Sequence, residues 1–246
     1  IEMYDALKKA IKNKPSNVDS AHLCRNINLL LTKFENKSND VKILNLILYS
    51  KNSIYDEMYS ILSKYLKLKN IDHYFYCFDS SICEGEDHKI IDNIIYFNGD
   101  ETFIPGILDK TLKVFELFKD SNYDYIIRSN ISSVIDFEPL KNWLYYFPMD
   151  YGGPYKYTGS FVTPSDGLTE EKHNLYGNLP FIGGSCIVFS MKCINFLLNN
   201  RCFMEKLDII DDVSIGITFS MFGSNLNIGY LSFPHLKYNT DDISNH

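Results

Sequence analysis

The chain has 246 residues, 45% of them hydrophobic and 15% aromatic, which is enough apolar mass for the core of one sizeable α/β domain. A net charge of −7 and a pI near 5.4 give no general attraction for phosphate backbones or anionic lipid, so a nucleic-acid partner is not expected. No run reaches the roughly 18 consecutive apolar residues of a spanning helix, and no basic, apolar and small-residue series marks a leader.

Residues 1–39 have the period of two amphipathic helices broken at Asn13-Lys14-Pro15-Ser16, with Leu23, Ile27, Leu30, Leu31 and Phe34 on one face of the second. At Val41 the pattern changes. Residues 41–49 form an apolar run bounded by polar turns, as a buried strand does. A helix is predicted over 53–67, with Ile54, Met58, Ile61, Leu62 and Tyr65 on one side, and strands over 71–78 and 89–97. Strand, helix, strand in this order implies a mostly parallel sheet covered on both faces.

Pro105 opens a further helix running to about Lys119, and residues 123–128 form a fourth strand ending in the polar cluster Ser129-Asn130-Ile131-Ser132-Ser133. In open α/β sheets ligands bind at that strand edge. Neither G-x-G-x-x-G nor G-x-x-x-x-G-K-[ST] follows any strand, so dinucleotide and P-loop readings lose their main support. The division is therefore a helical extension over 1–39 and a single domain over 40–246.

Cys24, Cys77, Cys83, Cys186, Cys193 and Cys202 have no C-x-x-C spacing and fit mainly small buried residues in a reducing compartment, with one or two disulfides as the lesser alternative. Asn36-Lys37-Ser38 and Asn130-Ile131-Ser132 match the N-glycosylation acceptor pattern, a short match common by chance. Residues 158–180 show no regular period and are expected to be a long loop, a flap over a ligand.

Several blocks share an order and spacing. They are Glu101, Phe103, Pro105, Leu108 and Lys110-Thr111; then Tyr125 to Ser132, and Leu140; then Phe181-Ile182-Gly183-Gly184-Ser185-Cys186 running on to Ser190; and last Asp211-Asp212-Val213 with Gly216 and Gly223. This series, over roughly residues 95–225, resembles the β-1,3-galactosyltransferase and fringe-type glycosyltransferases. The resemblance implies a GT-A-like, mostly parallel nucleotide-binding sheet flanked by helices. It implies transfer of a sugar from a nucleotide-diphosphate donor, UDP favoured, to a hydroxyl on a glycan, protein or lipid-linked acceptor, with inversion. It also suggests a secretory-pathway enzyme, whereas the cysteine content and the lack of a leader in this chain favour the cytoplasm.

Residue by residue, the family's base matches Asp212, with Asp211 as helper. Taken alone, an acid pair before Val213 is an ordinary helix N-terminus. Where the family carries its D-x-D acids, this chain has Asn130-Ile131-Ser132 after Arg128. The family's Mn²⁺ or Mg²⁺ needs anionic oxygens for tight binding, and Asn and Ser offer neutral ones. Either a metal is held through Asn130, nearby acids and the phosphates, or Arg128 or Lys110 pairs with the diphosphate instead. Gly183 and Gly184 leave room for an acceptor beside the backbone, and Tyr155, flanked by Tyr151 and Tyr157, offers a ring for a sugar face. His235 falls near the family's metal-binding histidine. The alternative keeps the fold without the reaction: a carbohydrate- or nucleotide-binding protein that lost catalysis with its metal acids. A sugar nucleotidyltransferase should carry a Gly-rich basic loop after the first strand, and Tyr49-Ser50-Lys51-Asn52 is not one.

Overall fold

In the computed structural model, residues 41–158, 167–230 and 235–237 are described, and the account below concerns those. The predicted N-terminal helices of residues 1–39 lie outside them.

The first half follows the hydrophobic pattern closely. Strand β1 (Ile43–Leu48) leads through helix α1 (Ser53–Leu68) to β2 (Asp72–Phe78). The α1 start is fixed by Asn52, whose side chain accepts from the Tyr55 N–H, relieving one of the unpaired donors of a helix N-terminus. After the one-turn helix α2 (Ser80–Cys83), the predicted strand over 89–97 proves to be two, β3 (His88–Ile91) and β4 (Ile94–Phe97), paired antiparallel. The two-residue turn between them includes Asp92 at φ 54°, a left-handed conformation that short polar side chains tolerate. Helix α3 (Gly106–Phe118) and strand β5 (Tyr125–Asn130) come next, then β6 (Ser133–Ile135), α4 (Phe137–Tyr146), β7 (Tyr151–Gly153) and β8 (Lys156–Thr158). Residues 158–180 are not wholly irregular, since they contain α5 (Glu170–Tyr176) and reach β9 (Pro180–Ile182). The remainder comprises β10 (Cys186–Ser190), α6 (Met191–Asn199), α7 (Arg201–Leu207), α8 (Asp211–Phe222), β11 (Ile228–Tyr230) and β12 (His235–Lys237).

Eight strands form one sheet in the order β11-β7-β10-β5-β1-β2-β4-β3, with β12-β6 and β8-β9 as separate pairs. The sheet is mixed rather than mostly parallel. β1 runs parallel to β2 and β5, and β4 to β2, but β10 lies antiparallel to both β5 and β7. The α/β class is as expected, and the second half departs because β10 returns beside β5 against its direction. That reversal has a consequence for the site: Cys186 pairs with Ser129, so the loop just before β10 is delivered to the tip of β5.

The strands alternate with a period of two. Ile43 and Ile47 of β1 join Ile127 of β5 and pack under α1 and α4, whereas Leu44, Leu46 and Ile126 pack under α3, α6 and α8. Leu46 and Ile47 are fully buried on opposite faces, each contributing roughly 1.5–3 kcal/mol by leaving water. Arg128 and Asn130, spaced by two from Ile126, therefore belong to the face that α8 covers. Cys77, Cys83, Cys186 and Cys193 are buried free thiols, as the spacing suggested, and Cys202 is a free thiol at the surface.

Candidate functional site

At the carboxyl edge of β1 and β5 lies a cavity of about 450 Å³, within the size range of small-ligand sites. Its walls come from the turn after β1 (Tyr49, Ser50), the approach to α3 (Glu101, Thr102, Phe103), the tip of β5 (Arg128, Asn130, Ile131, Ser132), Gly184, and the start of α8 (Asp211, Asp212). The β5 tip and the acidic helix start thus face one cleft.

Two packing events bring α8 there. Gly216, in the middle of the helix, lies where a Cβ would sit 2.3 Å from the Phe181 Cβ, so only glycine lets α8 approach β9 this closely. At the helix head, Asp212 Oδ2 accepts from the Gly184 N–H at 2.8 Å and its Oδ1 from the Val213 N–H at 2.8 Å. The Asp212 carboxyl is pushed up to about 7, first by burial and then by the neighbouring charge of Asp211, with Arg128 and the two N–H donors pulling the other way.

Arg128 is the hub. It is 2% exposed, and its Nη1 donates to Asn130 Oδ1 at 2.7 Å and to the Gly184 carbonyl. Its Nη2 lies 2.8 Å from Asp211 Oδ2, and both partners are almost wholly buried. This is a close charge contact rather than an aligned hydrogen bond, since among the described residues Asp211 Oδ2 has no hydrogen-bond partner. Burial works against the guanidinium's charge, but Asp211, Tyr76 and Asp212 more than offset it, and its pKa is raised. Tyr76, fully buried beneath, has its hydroxyl against Thr111 Oγ1 at 3.1 Å and is pushed up to about 12 by burial.

Lys110 is fully buried on α3, bordering the cavity. Its Nζ donates to the Tyr49 carbonyl at 3.0 Å and to Glu101 Oε1. Burial lowers its pKa, and the bond to Glu101 opposes that. Glu101 also accepts from Ser50 Oγ and from the Phe78 N–H, each at 2.9 Å, so one carboxylate ties together the ends of β1, β2 and the approach to α3. Sequence reasoning assigns Glu101 no role of its own; the signal available was an acid nine residues before a lysine that the helical period places on the buried side of α3.

Of the residues singled out from sequence, Asp211, Asp212, Asn130, Ser132, Arg128, Lys110 and Gly184 all border this cavity. Gly183 and Tyr155 do not. A Cβ at Gly183 would meet the Tyr157 ring at 2.7 Å, and Tyr155 packs its ring along Tyr157 with centroids 6.2 Å apart. Tyr151 is buried, stacked on Phe219 at 4.1 Å. His235 pairs through its backbone with Ile135, in the β12-β6 pair apart from the main sheet.

A divalent cation finds a poor donor set here. Among the described residues no three His, Cys, Asp or Glu side chains converge. Glu101 faces Lys110, Asp211 faces Arg128, and Asp212 is engaged by two backbone N–H groups. The one neutral oxygen offered by residue 130 lies against a guanidinium. These residues do not fit the metal that the family resemblance implies.

A Cβ at position 184 would stand 2.6 Å from Arg128 Nη1 and 3.3 Å from Asp212 Oδ2. Gly184→Ala is expected to lose about 1–3 kcal/mol in urea unfolding because both buried groups must shift. A loss below about 0.5 kcal/mol would mean that the guanidinium is not held in this position.

No model of a known protein family matches the chain, and no curated protein matches it. No described helix is long and apolar enough to cross a membrane.

Proposed function

We propose that this chain is a glycosyltransferase of GT-A type, moving a sugar from a nucleotide-diphosphate donor, UDP favoured, to a hydroxyl with inversion. The observation that carries this reading is the shared cavity between the β5 tip and the head of α8, with Asp212 on its wall. An inverting transfer needs a base for the acceptor hydroxyl, and a carboxylate titrating near neutral pH suits that task. In the step proposed, the acceptor oxygen attacks the anomeric carbon from the face opposite the diphosphate. Its proton passes to the ionised Asp212, the bond from the anomeric carbon to the phosphate oxygen breaks, and the nucleoside diphosphate leaves with that electron pair. Asp211 holds Arg128, and Arg128 in turn holds Gly184 and Asn130, so the base and the β5 tip keep their spacing.

A second reading, a binding protein of the same fold without turnover, is favoured by the engagement of every described cleft acid with a partner in the protein. Calorimetric titration with UDP, followed by an assay of UDP-sugar hydrolysis with water in the acceptor's place, separates the two. Binding with hydrolysis that depends on Asp212 supports the transferase; binding without hydrolysis supports the second reading, and no binding of UDP overturns both.

A further inference from the structure

Position 130 is where the resemblance calls for a metal-holding carboxylate and the chain carries an amide. An amide presents an oxygen that accepts and an NH₂ that donates, and a neighbour decides which of them meets the cavity. Here the neighbour is a guanidinium, which can only donate. The 2.7 Å contact from Arg128 Nη1 therefore takes Asn130 Oδ1, the assignment following from the partner's chemistry. Asn130 is half-buried and borders the cavity, so with Oδ1 drawn to Arg128 its Nδ2 is left to serve the cavity side.

This reverses the electrostatic sense of the position. A divalent cation approaching Oδ1 would share that oxygen with a fixed positive charge. A phosphoryl oxygen instead finds an N–H donor at Asn130, the hydroxyl of Ser132 two residues along, and the guanidinium behind them. Arg128 itself is among the residues that line the cavity, so its fixed positive charge lies at this wall. The nearby acids do not undo this, because Glu101 and Asp211 each face their own cation, and Asp212 points its oxygens at the N–H groups of Gly184 and Val213.

We propose that Asn130, Ser132 and Arg128 form a phosphoryl-binding subsite that takes the donor's diphosphate without a divalent cation. Placing a nucleotide sugar there rests on the function proposed above; the preference for an anion over a cation rests on the amide's orientation, the Arg128 charge and the engagement of the nearby acids.

The test is calorimetry on the full chain with inorganic pyrophosphate and with UDP, each in a chelator and in Mn²⁺. The wild type should bind both in chelator within about threefold of its Mn²⁺ affinity. Asn130→Asp exchanges a donor for a charged acceptor and should weaken binding in chelator roughly 10- to 100-fold, with part of the loss recovered by Mn²⁺. Ser132→Ala, a smaller change, should cost roughly 3- to 10-fold in both buffers, and urea midpoints establish that each variant is folded. Wild-type binding only with Mn²⁺, or Asn130→Asp binding like the wild type in chelator, overturns the subsite. Pyrophosphate binding without UDP binding keeps the subsite and removes the nucleotide-sugar reading. UDP binding only with Mn²⁺ does the reverse, and no binding of either ligand removes both.

Discussion

Asp212→Asn should remove roughly 10²- to 10⁴-fold of sugar transfer or donor hydrolysis, the usual worth of a positioned general base, and yet leave the protein more stable at pH 8. The carboxyl titrates near 3.8 in the unfolded chain and is pushed up to about 7 in the fold, chiefly by burial and next by Asp211. Between those pH values the folded protein holds a proton that the unfolded chain has released. Its contribution therefore favours folding least at high pH: stability declines as pH rises from about 4 through about 7 and then levels. The full penalty of ionised Asp212 above pH 7 is on the order of 4 kcal/mol. Asparagine removes the charge, but it has one oxygen for the two N–H donors of Gly184 and Val213, which returns part of the gain. A net stabilisation of about 2 kcal/mol is expected at pH 8, turning into a small loss at pH 4, where aspartate is already neutral. Urea titrations at the two pH values read this directly; equal effects at both would mean that Asp212 is not held with a raised pKa. Catalysis by the wild type should rise through about pH 7 and level above it, because only the ionised carboxylate accepts the proton.

Arg128→Ala is expected to have the largest effect on stability. It leaves Asp211, 1% exposed, as a buried carboxylate with no counter-charge, and breaking such a pair costs about 3–5 kcal/mol. It also frees the Gly184 carbonyl and Asn130 Oδ1 from their shared donor. Against the 5–15 kcal/mol typical of a whole domain, that places the variant near the limit of folding. Replacing both partners, Arg128→Met with Asp211→Leu, should recover most of the loss, because it removes the uncompensated charge along with the pair. Denaturant midpoints of the two single variants and the double decide it. A cost under about 1 kcal/mol for Arg128→Ala would show that the pair does not hold the head of α8.

The same pair explains where reading the sequence falls short. From order alone, Arg128 is a cation at a strand end; that it also ties β5 to the loop before β10 and to α8 is visible only in the fold. Lys110 is comparable. Its full burial and its tie to Glu101 appear only in the fold, because they require two segments to meet beyond the ends of β1 and β2. Gly183 and Tyr155 sit in the right blocks but serve the packing of Tyr157 beside the cleft. The strand expected over 89–97 is two because the polar pair Asp92-Asn93 stands between the apolar runs Ile90-Ile91 and Ile94-Ile95 and turns the chain back on itself, a signal that was present in the sequence.

What the amino-acid order determined by itself was local and periodic: the apolar runs of β1, β2 and β5, the amphipathic face of α1, the start of α3 near Pro105, and hence an α/β sheet with its polar edge at Ser129 to Ser133. It also put the neutral side chains of Asn130 and Ser132 at that edge, which is a matter of identity and needs no coordinates. The tertiary structure alone decided the antiparallel return of β10, the close seating of α8 permitted at Gly216, and the direction in which the Asn130 amide points. The physical reason is separation along the chain. Period and propensity act over a few residues, whereas the ion pair that holds Asp211 depends on Arg128, a partner that folding must bring to it across 83 positions.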